Sequence, residues 1–198
     1  MATDNYIRFT STNPRFDFSF LYPASWQASE TEEKGYSQVF VRGPRNKANT
    51  YSTTLVVNIL PAGEMTLEEK VADYLTKAAK ARAFKIVSTV KGFLAGAEAA
   101  ELLMSYKTSL PIYSVKATDT TIIERRIIVR YANRFYELEY NAVEEDYDAS
   151  LQAFENAART FAFRDGEAQG FRSIVVPVTV PAPALAVAEK RETYKPEG

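Results

Sequence analysis

From Phe16 the apolar side chains fall on alternate positions, Phe16, Phe18, Phe20 and Tyr22, the period of a half-buried strand, and Pro23 ends the run. A second strand is predicted from Tyr36 to Arg42, stopped by Gly43 and Pro44. A third runs from Thr53 to Leu60, with Leu55, Val57 and Ile59 on one face and Pro61 and Gly63 as breakers. The polar stretch from Arg45 to Ser52 between them reads as a mobile surface loop. The period then changes. Leu67, Val71, Tyr74, Leu75 and Ala78 recur at helical steps, and Thr66 with Glu69 has the spacing of a capping box at the helix start. Further strands are predicted over Phe84–Lys91, Ala97–Lys107, Thr120–Tyr131 and Arg134–Asn141. A second helix then carries Tyr147, Leu151, Phe154, Ala158 and Phe161 on one stripe. This order describes an α+β sandwich, a mostly antiparallel sheet covered by helices.

A turn at Ala132 and Asn133 would set Tyr131 against Arg134, Val129 against Tyr136 and Ile127 against Leu138. On the other face Arg126 would oppose Glu139, and Ile128 would oppose Glu137. Asn133 suits a left-handed turn position and Ala132 does not, so a turn longer than two residues is expected. Beyond Arg164 the character changes. Gly166 and Gly170 loosen the chain, Phe171 to Val180 is β-branched and apolar, and Pro177, Pro181 and Pro183 bar a central strand. The chain thus divides into a sandwich domain, 1–165, and an extended C-terminal arm, 166–198, charged and frayed after Ala188. Phe171, Ile174, Val176, Val178, Val180 and Leu185 are too apolar for a solvated linker. Either the arm adds a strand to its own domain or it lies along a partner.

Composition narrows the chemistry. The 198 residues suit one domain plus an appendage, enough to bury roughly 70% of the unfolded surface without staples. With 24 basic against 25 acidic side chains, nothing favours a nucleic-acid partner. The chain has no histidine and no cysteine. That excludes a Ser-His-Asp triad, a cysteine nucleophile, a disulfide and an ordinary zinc or haem site, and leaves carboxylate, Lys, Tyr or Ser/Thr chemistry or a hard cation on oxygen. No cofactor is expected. No run approaches the length of a membrane span, so the sequence as written reads as soluble and cytoplasmic, or extracytoplasmic if a signal or lipoprotein segment precedes it.

The segment FDFSFLYPASW, Phe16 to Trp26, resembles the strand and Pro-x-x-Trp turn near the start of PsbP-family proteins, the extrinsic subunits of photosystem II. The strand TTLVVNILP, the helix opening TLEEKVADYL, the link Lys91 to Gly96, the hairpin RYANRFYELEYNA and the closing ARTFAF resemble successive elements of that family. The resemblance spans Thr12 to Phe163, and its evidence is order rather than any one motif. It implies an α/β/α sandwich shared with the nuclear-import Mog proteins, and a role in binding protein complexes or assisting their assembly. The missing histidines and the long arm depart from the plant subunits, so a bacterial PsbP-related protein outside oxygenic photosynthesis is implied.

Trp26, the single tryptophan, reads as a plug at one end of the sandwich rather than a binding hot spot. The acidic runs Glu30, Glu32, Glu33 and Glu144, Glu145, Asp146, Asp148 lack the calcium-loop pattern, and the second complements a helix N-terminus. Arg125, Arg126, Arg130 and Arg134 fall on both faces of a strand pair opposite glutamates, and read as a solvated or paired face rather than an anion site. The favoured function is a non-catalytic accessory subunit that docks on a protein partner, on a second copy or on a membrane-associated complex. The alternatives are a small-molecule binder or carboxylate enzyme with a pocket in the sandwich, and a structural subunit of a repeating assembly.

Overall fold

The computed structural model describes residues 5–112, 114–164, 166 and 168–174. Its strands are β1 (Tyr6–Phe9), β2 (Phe18–Pro23), β3 (Gln27–Glu33), β4 (Tyr36–Arg45), β5 (Ser52–Pro61), β6 (Lys85–Leu94), β7 (Ala97–Leu110), β8 (Thr118–Tyr131), β9 (Arg134–Val143), β10 (Ala162–Phe163) and β11 (Arg172–Ile174). Helix α1 spans Leu67–Ala78 and α2 spans Tyr147–Thr160. An eight-stranded antiparallel sheet has the order β11-β6-β7-β8-β9-β5-β4-β3, and a small sheet has the order β1-β2-β10. The architecture is an α+β sandwich.

The aromatic stripe of β2 builds the main core. Phe16, Phe18 and Phe20 are buried with Phe9 of β1, against Val39, Val57, Tyr136, Leu138 and Tyr140 of the large sheet and Phe154, Ala157 and Phe161 from the α2 side. Phe20 stacks on Phe9 and Phe18 with ring centroids 5.2 and 6.0 Å apart. On the opposite face α1 lays Leu67, Val71, Tyr74 and Leu75 over Leu102, Met104, Ile128 and Phe135. The capping box forms: Glu69 N–H donates to Thr66 Oγ1 at 3.2 Å, and Thr66 N–H donates to Glu69 Oε2 at 2.8 Å. Both faces of the sheet centre are therefore covered.

Several local expectations change. The turn between β8 and β9 holds two residues, because Ala132 and Asn133 both take left-handed backbone angles (φ 46° and 60°) and Tyr131 pairs with Arg134. The long flanking ladder imposes that geometry on an alanine that would not choose it. Strand β4 passes Gly43 and Pro44 through a register shift between Arg42 and Arg45, and the Trp26 ring lies so close to Gly43 that a Cβ there would meet it at 2.8 Å. Trp26 is thus held by backbone contact, half-buried at the core's edge. The loop expected to be mobile is fastened. Asn46 is buried, and its Oδ1 accepts from the N–H groups of Thr50 and Tyr51 at 2.8 and 3.1 Å. Strands β1 and β3 carry no hydrophobic alternation, and every residue of β3 is exposed.

Replacing Phe20 by Ala should destabilise the protein by about 3–5 kcal/mol, because a ring with no solvent exposure leaves a cavity among other rings. Urea denaturation checks this; a midpoint that hardly moves would contradict the core assignment.

Candidate functional site

The sheet face beneath α1 carries an unusual run of charge inside buried strands. Glu124 and Arg126 stand two apart on β8, Glu137, Glu139 and Asn141 alternate along β9, and α1 adds Lys70 and Tyr74. Arg126 is the hub. Its Nε donates to Glu124 Oε1 at 2.7 Å, and its two terminal nitrogens donate to Glu137 and Glu139. The guanidinium lies over the Tyr74 ring at 4.2 Å, and the Tyr74 hydroxyl donates to Glu124 at 2.6 Å. Lys70 Nζ stands 2.7 Å from Glu137 Oε1. Further along the face, Asn141 Nδ2 donates to Glu139 Oε1 at 2.5 Å, and Gln38 Nε2 donates to Asn58 Oδ1 at 2.8 Å.

Burial raises the Glu139 pKa; Arg126 opposes that, and repulsion from Glu124 adds to it. Burial works against the Arg126 charge, but Glu139, Glu124 and Glu137 outweigh it and raise its pKa. The Tyr51 phenol is pushed up to about 12 by burial and then by the charges of Glu139 and Glu124. Nothing here is a free base. Each carboxylate is occupied by a cation or amide, as a buried charge requires. Glu139 and Asn141 do reach an open groove of about 510 Å³ lined by Gln38, Phe40, Arg42 and Tyr51, and the buried Asn141 Oδ1 has no hydrogen-bond partner among the described residues.

The four arginines are paired rather than gathered around an anion. Arg125 meets Glu101 at 2.6 Å and Glu155 at 3.5 Å on the α2 side, Arg134 meets Asp17 at 3.3 Å, and Arg130 donates to the Gly63 carbonyl at 3.3 Å. Arg126 is buried, not solvated. Glu30 and Glu32 accept from Ser11 and Asn13 at 3.0 Å, tying the exposed strand β3 to the segment before β2. Among the described residues no group of three or more acidic side chains could hold a metal ion.

The beginning of the arm stays with the domain. Phe171 packs against the main core, the Gln169 carbonyl accepts from Ala95 N–H at 2.7 Å, and β11 pairs antiparallel with β6, Ile174 facing Lys91. Gly92 permits that approach, since a Cβ there would stand 2.5 Å from the Arg172 carbonyl oxygen. Ile174 remains 43% exposed. Val176, Val178, Val180 and Leu185 lie outside the described residues. Sequence reasoning paired Arg126 with Glu139 but missed the cluster around them; its signal was charge at every second position in strands otherwise apolar.

No protein-family model and no curated protein matches the chain. Solved structures do. Cyanobacterial PsbP from Synechocystis is 14% identical with a TM-score of 0.51, over 82% of this chain and 94% of that one. The Ran-binding protein Mog1p of Saccharomyces cerevisiae is 10% identical with a TM-score of 0.53, over 82% of this chain and 97% of that one. LpqN of Mycobacterium tuberculosis, involved in cell envelope biogenesis, is 11% identical with a TM-score of 0.52, over 81% and 86%. The chain has the PsbP/Mog fold. Within that sandwich the Arg126 cluster fastens α1 to the sheet centre. Among the described residues no helix is long and apolar enough to cross a membrane.

Arg126→Met should cost about 3–5 kcal/mol, since it leaves three buried carboxylates without their common cation. A loss below about 1 kcal/mol in denaturant titration would show that the cluster fastens nothing. The pH dependence follows from Glu139. A carboxyl whose pKa is raised by folding holds its proton more tightly in the native state, so stability falls as pH rises from the ordinary value of 4.5 through the raised one. Glu139→Gln should flatten that slope; the same slope in both proteins would contradict the assignment.

Proposed function

We propose that this protein is a non-catalytic accessory subunit that docks on a protein partner, with the C-terminal arm as the contact. The observation that carries this reading is the exposed Ile174 on the outermost strand, at the point where the sequence runs on into Val176, Val178, Val180 and Leu185. Phe171 anchors the arm to the core, and the apolar residues beyond it need cover from another surface. The fold agrees with a binding role, since its yeast neighbour binds Ran. The near balance of charge agrees with a protein surface rather than a nucleic acid.

A second reading has one observation in its favour. The unpartnered Asn141 Oδ1 beside the groove that Glu139 borders suits a small polar ligand with a hydrogen-bond donor.

Ending the chain after Ile174 should leave the circular dichroism of the sandwich intact and abolish recovery of the proteins that co-purify with the full chain. Recovery of the same proteins by the folded, shortened chain would overturn the docking role of the arm.

A further inference from the structure

The edge of β6 is only half covered. Strand β11 pairs with Lys91, Gly92 and Phe93, while Lys85 to Val90 have no strand on that side among the described residues. Ile86 and Val87 there are 38% and 60% exposed, and the buried Thr89 hydroxyl has no hydrogen-bond partner among the described residues. An edge of this kind, with free N–H and C=O groups beside apolar side chains, is a template for another strand.

We propose that Val175 to Val180 lengthens β11 along this free edge and completes the outer strand of the sheet. Direction and register both favour this occupant. The antiparallel pairing of Arg172 with Phe93 and Ile174 with Lys91 sends the next residues back along β6. Continued along the regular part of β6, it sets Val175 against Val90, Val176 against Thr89 and Pro177 against Ser88, and it brings Val178 to Val180 beside the bulge at Val87 and the residues before it. The β-branched run ends at Val180, within reach of the first residues of β6, and Pro181 follows. Pro177 is acceptable because an outermost strand turns half of its backbone donors to water. The segment is joined directly to β11, so no loop has to be closed, whereas a strand from a second molecule must bear the entropy of association.

Alternate side chains of that strand, Ile174, Val176, Val178 and Val180, form one apolar stripe on a rigid support. That this stripe meets the partner rests on the docking role proposed above; the pairing itself does not. The two are separable by experiment.

The chain has no cysteine, so engineered pairs report without background. Val90→Cys with Val175→Cys, and Thr89→Cys with Val176→Cys, are adjacent rungs on the regular part of β6, one of which has the close, non-hydrogen-bonded spacing a disulfide accepts. Under mild oxidation of the full-length protein, at least one pair should link within a single chain, about tenfold faster than a control pair of Ile86→Cys with Leu185→Cys. Links at the control rate, or links between two chains, would overturn the proposal. A linked monomer that still fails to recover any partner would leave the strand in place and refute the docking role alone.

Discussion

Arg126 is the point on which the α1 side of this sandwich depends. It stands on β8, in the middle of a sheet covered on both faces, where an unpaired guanidinium would be too costly to bury. Glu124, Glu137 and Glu139 hold its charge, and Tyr74 and Lys70 of α1 complete the enclosure. The cluster therefore fixes which helix face meets the sheet and which β8 residues oppose which β9 residues. An apolar centre would pack as well with less directional preference, whereas three oriented carboxylates accept one arrangement of the strands.

The opposite face is held by a different means. There the rings of Phe16, Phe18, Phe20 and Phe161 fill the space between the large sheet, the small sheet and α2, with Tyr136 as the bridge: its ring meets Phe18 edge-on at 6.0 Å and its hydroxyl donates to Asp17 at 2.8 Å. One face depends on area and the other on charge geometry. Between them the large sheet ends in β3 on one side and in β6 with its short partner β11 on the other. At one edge β3 is wholly exposed and acidic, a composition that discourages a further strand. At the other, β6 carries the exposed Ile86 and Val87 beyond the three residues that pair with β11.

The sequence made legible what burial writes into it. The alternation of Phe16 to Tyr22, the helical steps from Leu67 and the pairing of β8 with β9 all follow from residues that must avoid water, and each appears in the structure. The exposed strands β1 and β3 carried no such signal, because a strand held by its ladder and by surface hydrogen bonds has no apolar period to read. Tyr74 reads as part of an ordinary amphipathic helix and Lys70 as nothing in particular, since their links to Glu124 and Glu137 cross at least fifty positions of chain. The turn at Ala132 shows the reverse case, a local preference overridden by two long strands. For the arm, apolar content and proline left open whether it adds a strand to its own domain or lies along a partner; its first residues pair with β6, where Gly92 opens the seat for Phe171 and Arg172.

Native-state hydrogen exchange of the full chain tests most directly whether the sandwich ends in a seated strand. Amides from Lys85 to Val90 that face away from β7 should exchange as slowly as those of the paired segment Lys91 to Phe93, and should become fast when the chain ends after Ile174. Fast exchange of the same amides in the full chain, at the rate of an open edge, would contradict the account.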